Sequence, residues 1–209
     1  LDINDSASAS PDGGLWVGEQ GNGTLDITGS AGVGVVGQIV VGDGEEAVGS
    51  IIVDGTGIGD PGRSDGNHLL STTIARQGTG SLAGTNSIVN LTGTFVVGQE
   101  AGSHGTVTLD DSLLGRTGYS SADLTSTTIG AAGMGSLSAT DHSEVVLTGT
   151  FVVGQYSGSQ GVVTVDDSEL HDFSQSTTIG AAGMGSLVVT SGSQVELSGT
   201  VVDGQPVGS

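Results

Sequence analysis

The sequence predicts an all-β chain wound as a right-handed parallel β-helix. Three observations carry that prediction: an internal repeat, glycine at fixed offsets within it, and short aliphatic runs that alternate with polar residues. The repeat comes first, because self-similarity at a period of 20–50 residues is the signature of a solenoid. STTIGAAGMGSL, from Ser126 to Leu137, recurs unchanged from Ser176 to Leu187, and a diverged copy, STTIARQGTGSL, begins at Ser71. A second phrase alternates with it: GTFVVGQ at Gly93 and at Gly149, then GTVVDGQ at Gly199. The two phrases align on the residue that ends their apolar run. With LWVG and IVVG as older copies, that position falls at Gly18, Gly42, Ala75, Gly98, Gly130, Gly154, Gly180 and Gly204, at intervals of 24, 33, 23, 32, 24, 26 and 24 residues. A basic coil of about 23–24 residues therefore alternates with lengthened ones.

Glycine supplies the second observation. The chain has 40 Gly in 209 residues with only 3% aromatic residues, a composition that reads as disorder when the glycines are scattered. Here they punctuate runs of Val, Ile, Leu and Thr at regular offsets, which is the period-2 pattern of strands bounded by turns. No window sustains a helical period.

Each unit divides into three short strands. In the copy at Ser126 these are STTIG, GSLSAT and SEVVLTG, separated by AAGM and DHS. Three strands in so few residues fit one coil of a triangular solenoid, and roughly eight coils at about 4.8 Å make a rod about 40 Å long. Alternation assigns the inward rows. In the first strand they hold Val17, Val41, Ile74, Val97, Ile129, Val153 and Ile179, with Leu15, Ile39, Phe95, Phe151 and Val201 two positions earlier. In the second strand they hold pairs such as Leu25/Ile27 and Val163/Val165, and in the third Val33/Val35, Val89/Leu91, Val145/Leu147 and Val195/Leu197. Residues 1–209 form one repeat domain on this reading. The opening LDINDSAS matches the second strand LVVTSGSQ at Leu187, so the segment is expected to belong to a longer array or to stack end to end on other copies.

Charge limits the partners. There are 23 acidic residues and three basic ones, Arg63, Arg76 and Arg116, for a net charge of −20. Such a chain repels nucleic acid and anionic membrane and offers no basic stripe to release counterions. There is no Cys, hence no disulfide or thiolate chemistry, and no run of about 20 apolar residues to span a bilayer.

The pattern VGxxGxGxLxVTxGSxVxLxGTFVVGQxxGSxGxVTVDDS, running through residues 15–53 and 71–204, resembles the glycine-rich β-helical repeats of bacterial autotransporter passenger regions and related large surface adhesins. The resemblance implies a secreted or cell-surface bacterial solenoid acting as an adhesive or structural stalk. Within residues 1–209 no stretch resembles the translocating barrel, protease-like domain or anchor of such proteins, so the resemblance covers the repeat alone.

Function on a solenoid sits in outward residues and insertions. The lengthened coils place their extra residues after the second strand, at 55–70, 113–124 and 169–175, always at the same corner. A ligand or partner edge is therefore expected there, carrying Arg63, His68, Arg116, Tyr119, His171 and Phe173, with a glycan or host cell surface as the partner. The acidic turns give a second candidate: Asp111, Asp141 and Asp167 occupy equivalent positions, and stacked carboxylate oxygens suit calcium. The alternative is solvated carboxylates that keep the rod soluble, since no calcium-repeat signature is present. A third candidate is the outward row of the first strand, Trp16, Val40, Thr73, Val96, Thr128, Val152, Thr178 and Val202, flat and uncharged enough for lateral association; Thr at only every second position makes an ice-binding row the weaker reading.

Catalysis is not expected. Polysaccharide lyases and glycosidases use parallel β-helices, and this remains the alternative function, yet the carboxylates here follow the repeat whereas an active site breaks it. No GxSxG elbow, HExxH helix or phosphate loop occurs. His104 and His142 are expected in turns.

Overall fold

In this chain glycine decides where the backbone turns. Gly18, Gly42, Gly98, Gly130, Gly154, Gly180 and Gly204 all adopt left-handed φ between 67° and 73°, and Ala75, in the same column, has φ 62°. The aligned position of the repeat is thus a corner in the left-handed region, where a side chain costs about 1–2 kcal/mol. Space reinforces the choice: a Cβ on Gly130 would lie 2.2 Å from the carbonyl oxygen of Gln160 in the next coil. Each corner is also a hydrogen-bonding step between coils, as in Gly130 N–H donating to Val97 O at 2.7 Å and Gly154 N–H to Ile129 O at 2.9 Å.

The computed structural model describes residues 2–3, 8–9, 13–30, 32–60, 68–115 and 124–204. Among them there is no helix, and the strands form three parallel sheets of eight. The first sheet takes Leu15–Val17, Gly37–Val41, Leu69–Ile74, Gly93–Val97, Leu124–Ile129, Thr150–Val153, Ser176–Ile179 and Thr200–Asp203. The second takes Asp2–Ile3, Asn22–Thr28, Val48–Asp54, Thr79–Thr85, His104–Asp110, Met134–Thr140, Gln160–Asp166 and Met184–Thr190. The third takes Ser8–Ala9, Gly32–Gly34, Gly57–Gly59, Ile88–Asn90, Leu113–Leu114, Glu144–Leu147, Glu169–Asp172 and Gln194–Leu197. Every strand pairs with the equivalent strand one coil away, so the chain is a parallel β-solenoid. In the second sheet Leu25, Ile51, Leu82, Val107, Leu137, Val163 and Leu187 share one row, spaced by 26, 31, 25, 30, 26 and 24 residues.

The expected inward rows form the core through the middle coils, whereas Val201, in the last strand of the first sheet, is 47% exposed. Val41, Ile74, Val97, Ile129 and Val153 have no exposed surface, and Leu25, Ile27, Ile51 and Val53 are equally buried. Packing adds a size rule to the first sheet. One inward row reads Leu15, Ile39, Thr72, Phe95, Thr127, Phe151, Thr177, Val201. Phe95 and Phe151 are buried, and each is flanked above and below by a buried Thr. A small β-branched residue thus alternates with the large one, and the pair fills the interior to close packing. The hydroxyls of Thr72 and Thr127 find no hydrogen-bond partner, which marks these residues as chosen for size.

The third sheet corrects the expected insertions. A third strand is present in the lengthened coils too: Ile58, Leu114 and Leu170 are buried and continue the row of Val33, Val89, Val145 and Val195. Extra residues therefore follow the third strand, not the second, and the segments expected at 55–70, 113–124 and 169–175 each begin with that strand. All three connections still leave from the corner between the third and first sheets.

Between the second and third sheets the corner is built by serine. Ser87 N–H donates to Ser112 Oγ at 3.0 Å, Ser112 N–H to Ser143 Oγ at 3.1 Å, Ser143 N–H to Ser168 Oγ at 3.1 Å and Ser168 N–H to Ser193 Oγ at 3.3 Å. Each hydroxyl in turn donates to a carbonyl at the end of the preceding strand, as Ser112 to Asp110 O at 2.8 Å and Ser168 to Asp166 O at 2.9 Å. The ladder satisfies buried corner amides that the sheets leave unpaired.

Candidate functional site

The loop corner is the natural place for function, because it is where the repeat varies most in length. Two inward positions at its mouth carry carboxylates. Asp172 lies in register between Leu147 and Leu197, and Asp60 sits one residue past Gly59, whose partners are Gly34 and Asn90. Both are buried, and both are held. Asp172 accepts the Ser174 N–H at Oδ1 (3.0 Å) and the Thr177 hydroxyl at Oδ2. Asp60 Oδ2 accepts the Thr92 hydroxyl at 3.1 Å and lies 3.1 Å from His68 Nδ1. A buried carboxylate is tolerated when its lone pairs are filled, and here filling them ties each outgoing connection back to the coil it left. Neither Asp60 nor Asp172 was singled out from the sequence. The apolar period itself holds the signal, since each falls where neighbouring coils place Val or Leu.

Of the six residues expected along this edge, Arg63, Arg116 and Tyr119 lie outside the described residues. His68 is spent on Asp60. His171 and Phe173 come together, their rings stacked at 6.1 Å with 6° between planes, and Phe173 is 54% exposed. His171 Nε2 lies 3.0 Å from Glu169 Oε2, and Nδ1 lies 3.7 Å from Glu196 Oε2. The hydrogen bond to Glu169 pushes the imidazole above its ordinary value, against the opposing effect of partial burial, with Glu144 and Glu196 adding to the rise. The outcome is an aromatic pair on an acidic sheet, with a histidine that charges readily.

Asp111, Asp141 and Asp167 do occupy one corner column, and the column explains them. Their φ values are 46°, 50° and 47°, and the same column holds Gly29, Gly55, Asn86 and Ser191 at 74°, 68°, 48° and 52°. Among non-glycine residues Asn and Asp best tolerate the left-handed region. Among the described residues no group of three or more His, Asp or Glu is arranged to hold a metal ion, so the three carboxylates share a column without converging. Asp166, next to this corner, is held below the usual carboxylate range by hydrogen bonds from Ser191 and Thr190.

The outward row of the first sheet also forms as a row, from Trp16 through Val40, Thr73, Val96, Thr128, Val152 and Thr178 to Val202. Its openness is uneven. Trp16 is 41% exposed, but Val40 is 4%, Thr73 9% and Thr128 8% exposed, so its middle does not present a continuous bare strip. Arg76 is the one described arginine; it pairs with Asp43 at 3.0 Å near the opposite corner, away from the loop edge.

These features define a glycine-rich parallel β-solenoid repeat protein, with a side-chain-filled core and connections gathered at one corner. No family model, no curated protein and no solved structure matches the chain.

Proposed function

We propose that this solenoid is an extracellular, non-enzymatic structural and adhesive rod, a stalk or fibre segment of a bacterial cell surface that displays its connections along one edge. The observation that carries the reading is the loop corner itself. Successive lengthened coils send their extra residues out at the same place, while buried Asp60 and Asp172 anchor the exits and are consumed in doing so. A rigid rod that repeats weak contacts at fixed spacing gains avidity without a deep pocket. Carboxylates that follow the repeat, and a repeat pattern resembling autotransporter passengers, point the same way, toward a glycan or cell-surface partner and toward neighbours stacked end to end.

The test is a paired assay on the intact chain. Beads bearing many copies should retain neutral and anionic glycans, and shortening the connections at 61–67 and 117–122 should abolish retention while leaving the melting temperature unchanged. Catalytic turnover of any of those glycans would overturn the reading in favour of a polysaccharide-active enzyme.

A further inference from the structure

Among the described residues the second sheet has the longest strands, and the adhesive reading makes no use of its outer face. Its strands are seven residues long from Asn22–Thr28 to Met184–Thr190 and run in continuous register without a bulge. The six strands from Val48–Asp54 onward each present three outward positions before the last one, and none of those positions holds Asp, Glu, Lys or Arg. They carry Ser, Thr, Ala, Gln and His104, together with Val48, Ile52, Met134, Val162, Met184 and Val188, each of these six at least 40% exposed. Acid returns only at the strand ends, in Asp54, Asp110 and Asp166. In a chain of net charge −20, so large an uncharged area with exposed apolar side chains is a marked departure from the rest of the surface.

We propose that this face is a lateral self-association surface on which a second copy of the chain packs sheet against sheet. Charge selects that occupant. Two molecules this acidic can approach closely only through a surface that buries no carboxylate, and this face is large enough to serve. Six strands at about 4.8 Å and a width of about 20 Å give roughly 600 Å² per rod, or about 1,200 Å² in total, the lower end of specific interfaces. Small and β-branched residues on a regular pleat are also the material of face-to-face sheet packing, at about 10 Å separation. A two-fold arrangement brings the same patch of each rod to the other and keeps the acidic strand ends at the rim. The contact is uncharged while the bodies repel, so association strengthens as salt screens the long-range charge.

Sedimentation equilibrium of the chain from about 0.01 M to about 1 M salt tests this. The expected result is a monomer–dimer equilibrium that tightens with salt. Val162→Glu or Thr108→Glu should weaken it by about a hundredfold, since each buries an unpaired carboxylate. Val152→Glu, on the first sheet, should leave it unchanged. The chain has no cysteine, so a single Ser136→Cys, near the centre of the face, gives a second readout: a bifunctional maleimide long enough to span the about 10 Å between packed sheets should cross-link it to its mate, and a Val152→Cys variant should give no cross-link. A monomer at every concentration and salt, or a dimer broken by Val152→Glu and not by Val162→Glu, would overturn the proposal.

Discussion

The backbone N–H of Ser112 donates to the hydroxyl of Ser143, one coil further along the rod, at 3.1 Å. Ser143 passes its own proton to Thr140 O at 2.7 Å, and its N–H meets Ser168 Oγ at 3.1 Å. Removing the Ser143 hydroxyl therefore orphans the buried Ser112 amide on the preceding coil, whereas Thr140 O keeps the Asp111 and Ser143 amides at 3.3 and 3.2 Å. Ser143→Ala is expected to cost about 1–3 kcal/mol in urea unfolding. Ser193→Ala, at a half-buried position near the end of the ladder, should cost less. Equal effects at both would mean that corner amides are satisfied by water and that the ladder is incidental.

Thr127 predicts a gain. Its side chain has no exposed surface, and its hydroxyl has no partner between Phe95 and Phe151. Valine has the same shape without the unmet polar group. Thr127→Val should stabilise the fold by about 1 kcal/mol, whereas Thr127→Phe, which places three phenyl rings on successive coils, should destabilise it by more than that. A loss on Thr127→Val would show that the hydroxyl is bonded in solution.

Asp141 separates backbone from charge. It sits at φ 50° with His142 beside it at φ 64°. Asp141→Gly should be neutral or stabilise by up to about 1 kcal/mol, and Asp141→Val should cost about 1–2 kcal/mol. If backbone conformation selects this residue, the ranking Gly, Asp, Val holds equally in calcium and in chelator. A melting temperature that falls with chelator in the wild type but not in Asp141→Gly would restore a metal role to the column.

His171 gives a pH dependence of definite sign. Its folded value lies above the ordinary 6.5, chiefly because it donates to Glu169. A raised folded value means that the protonated form stabilises the fold. That contribution is complete below the ordinary value and fades as pH rises through the folded one. Thermal melts from about pH 5 to about pH 8 should therefore show the wild type losing stability relative to His171→Gln, with Glu169→Gln flattening the difference. The opposite slope would contradict the assigned hydrogen bond.

Much of this was legible in the chain. The corner column from Gly18 to Gly204 was read from sequence alone and appears as a line of left-handed residues, because a backbone that must turn at every coil leaves a fixed glycine spacing. The inward rows were legible for the same reason, since a two-residue period survives in any strand with one buried face. The third strand of the lengthened coils was not. Leu113–Leu114 is two residues long, too short to carry a period, and only its pairing with Val89 and Val145 identifies it. The serine ladder left a trace in DDS, DHS and SGS, but its hydrogen bonds join residues 25 or 31 positions apart, beyond any local pattern.

By itself, then, the sequence determined the solenoid: the repeat dictates equivalent coils, and glycine and alternation dictate where each coil bends and which side chains enter the core. What the tertiary structure decided is every property that depends on the neighbouring coil. That Asp111 sits in the left-handed corner column, that His68 lies against Asp60, and which sheet presents a broad uncharged face all follow from register between strands one coil apart. The physical reason is spacing. Residues about 4.8 Å apart in space are some 25 apart in the chain, so the contacts that give each outward residue its role are invisible to any window short enough to read as local sequence.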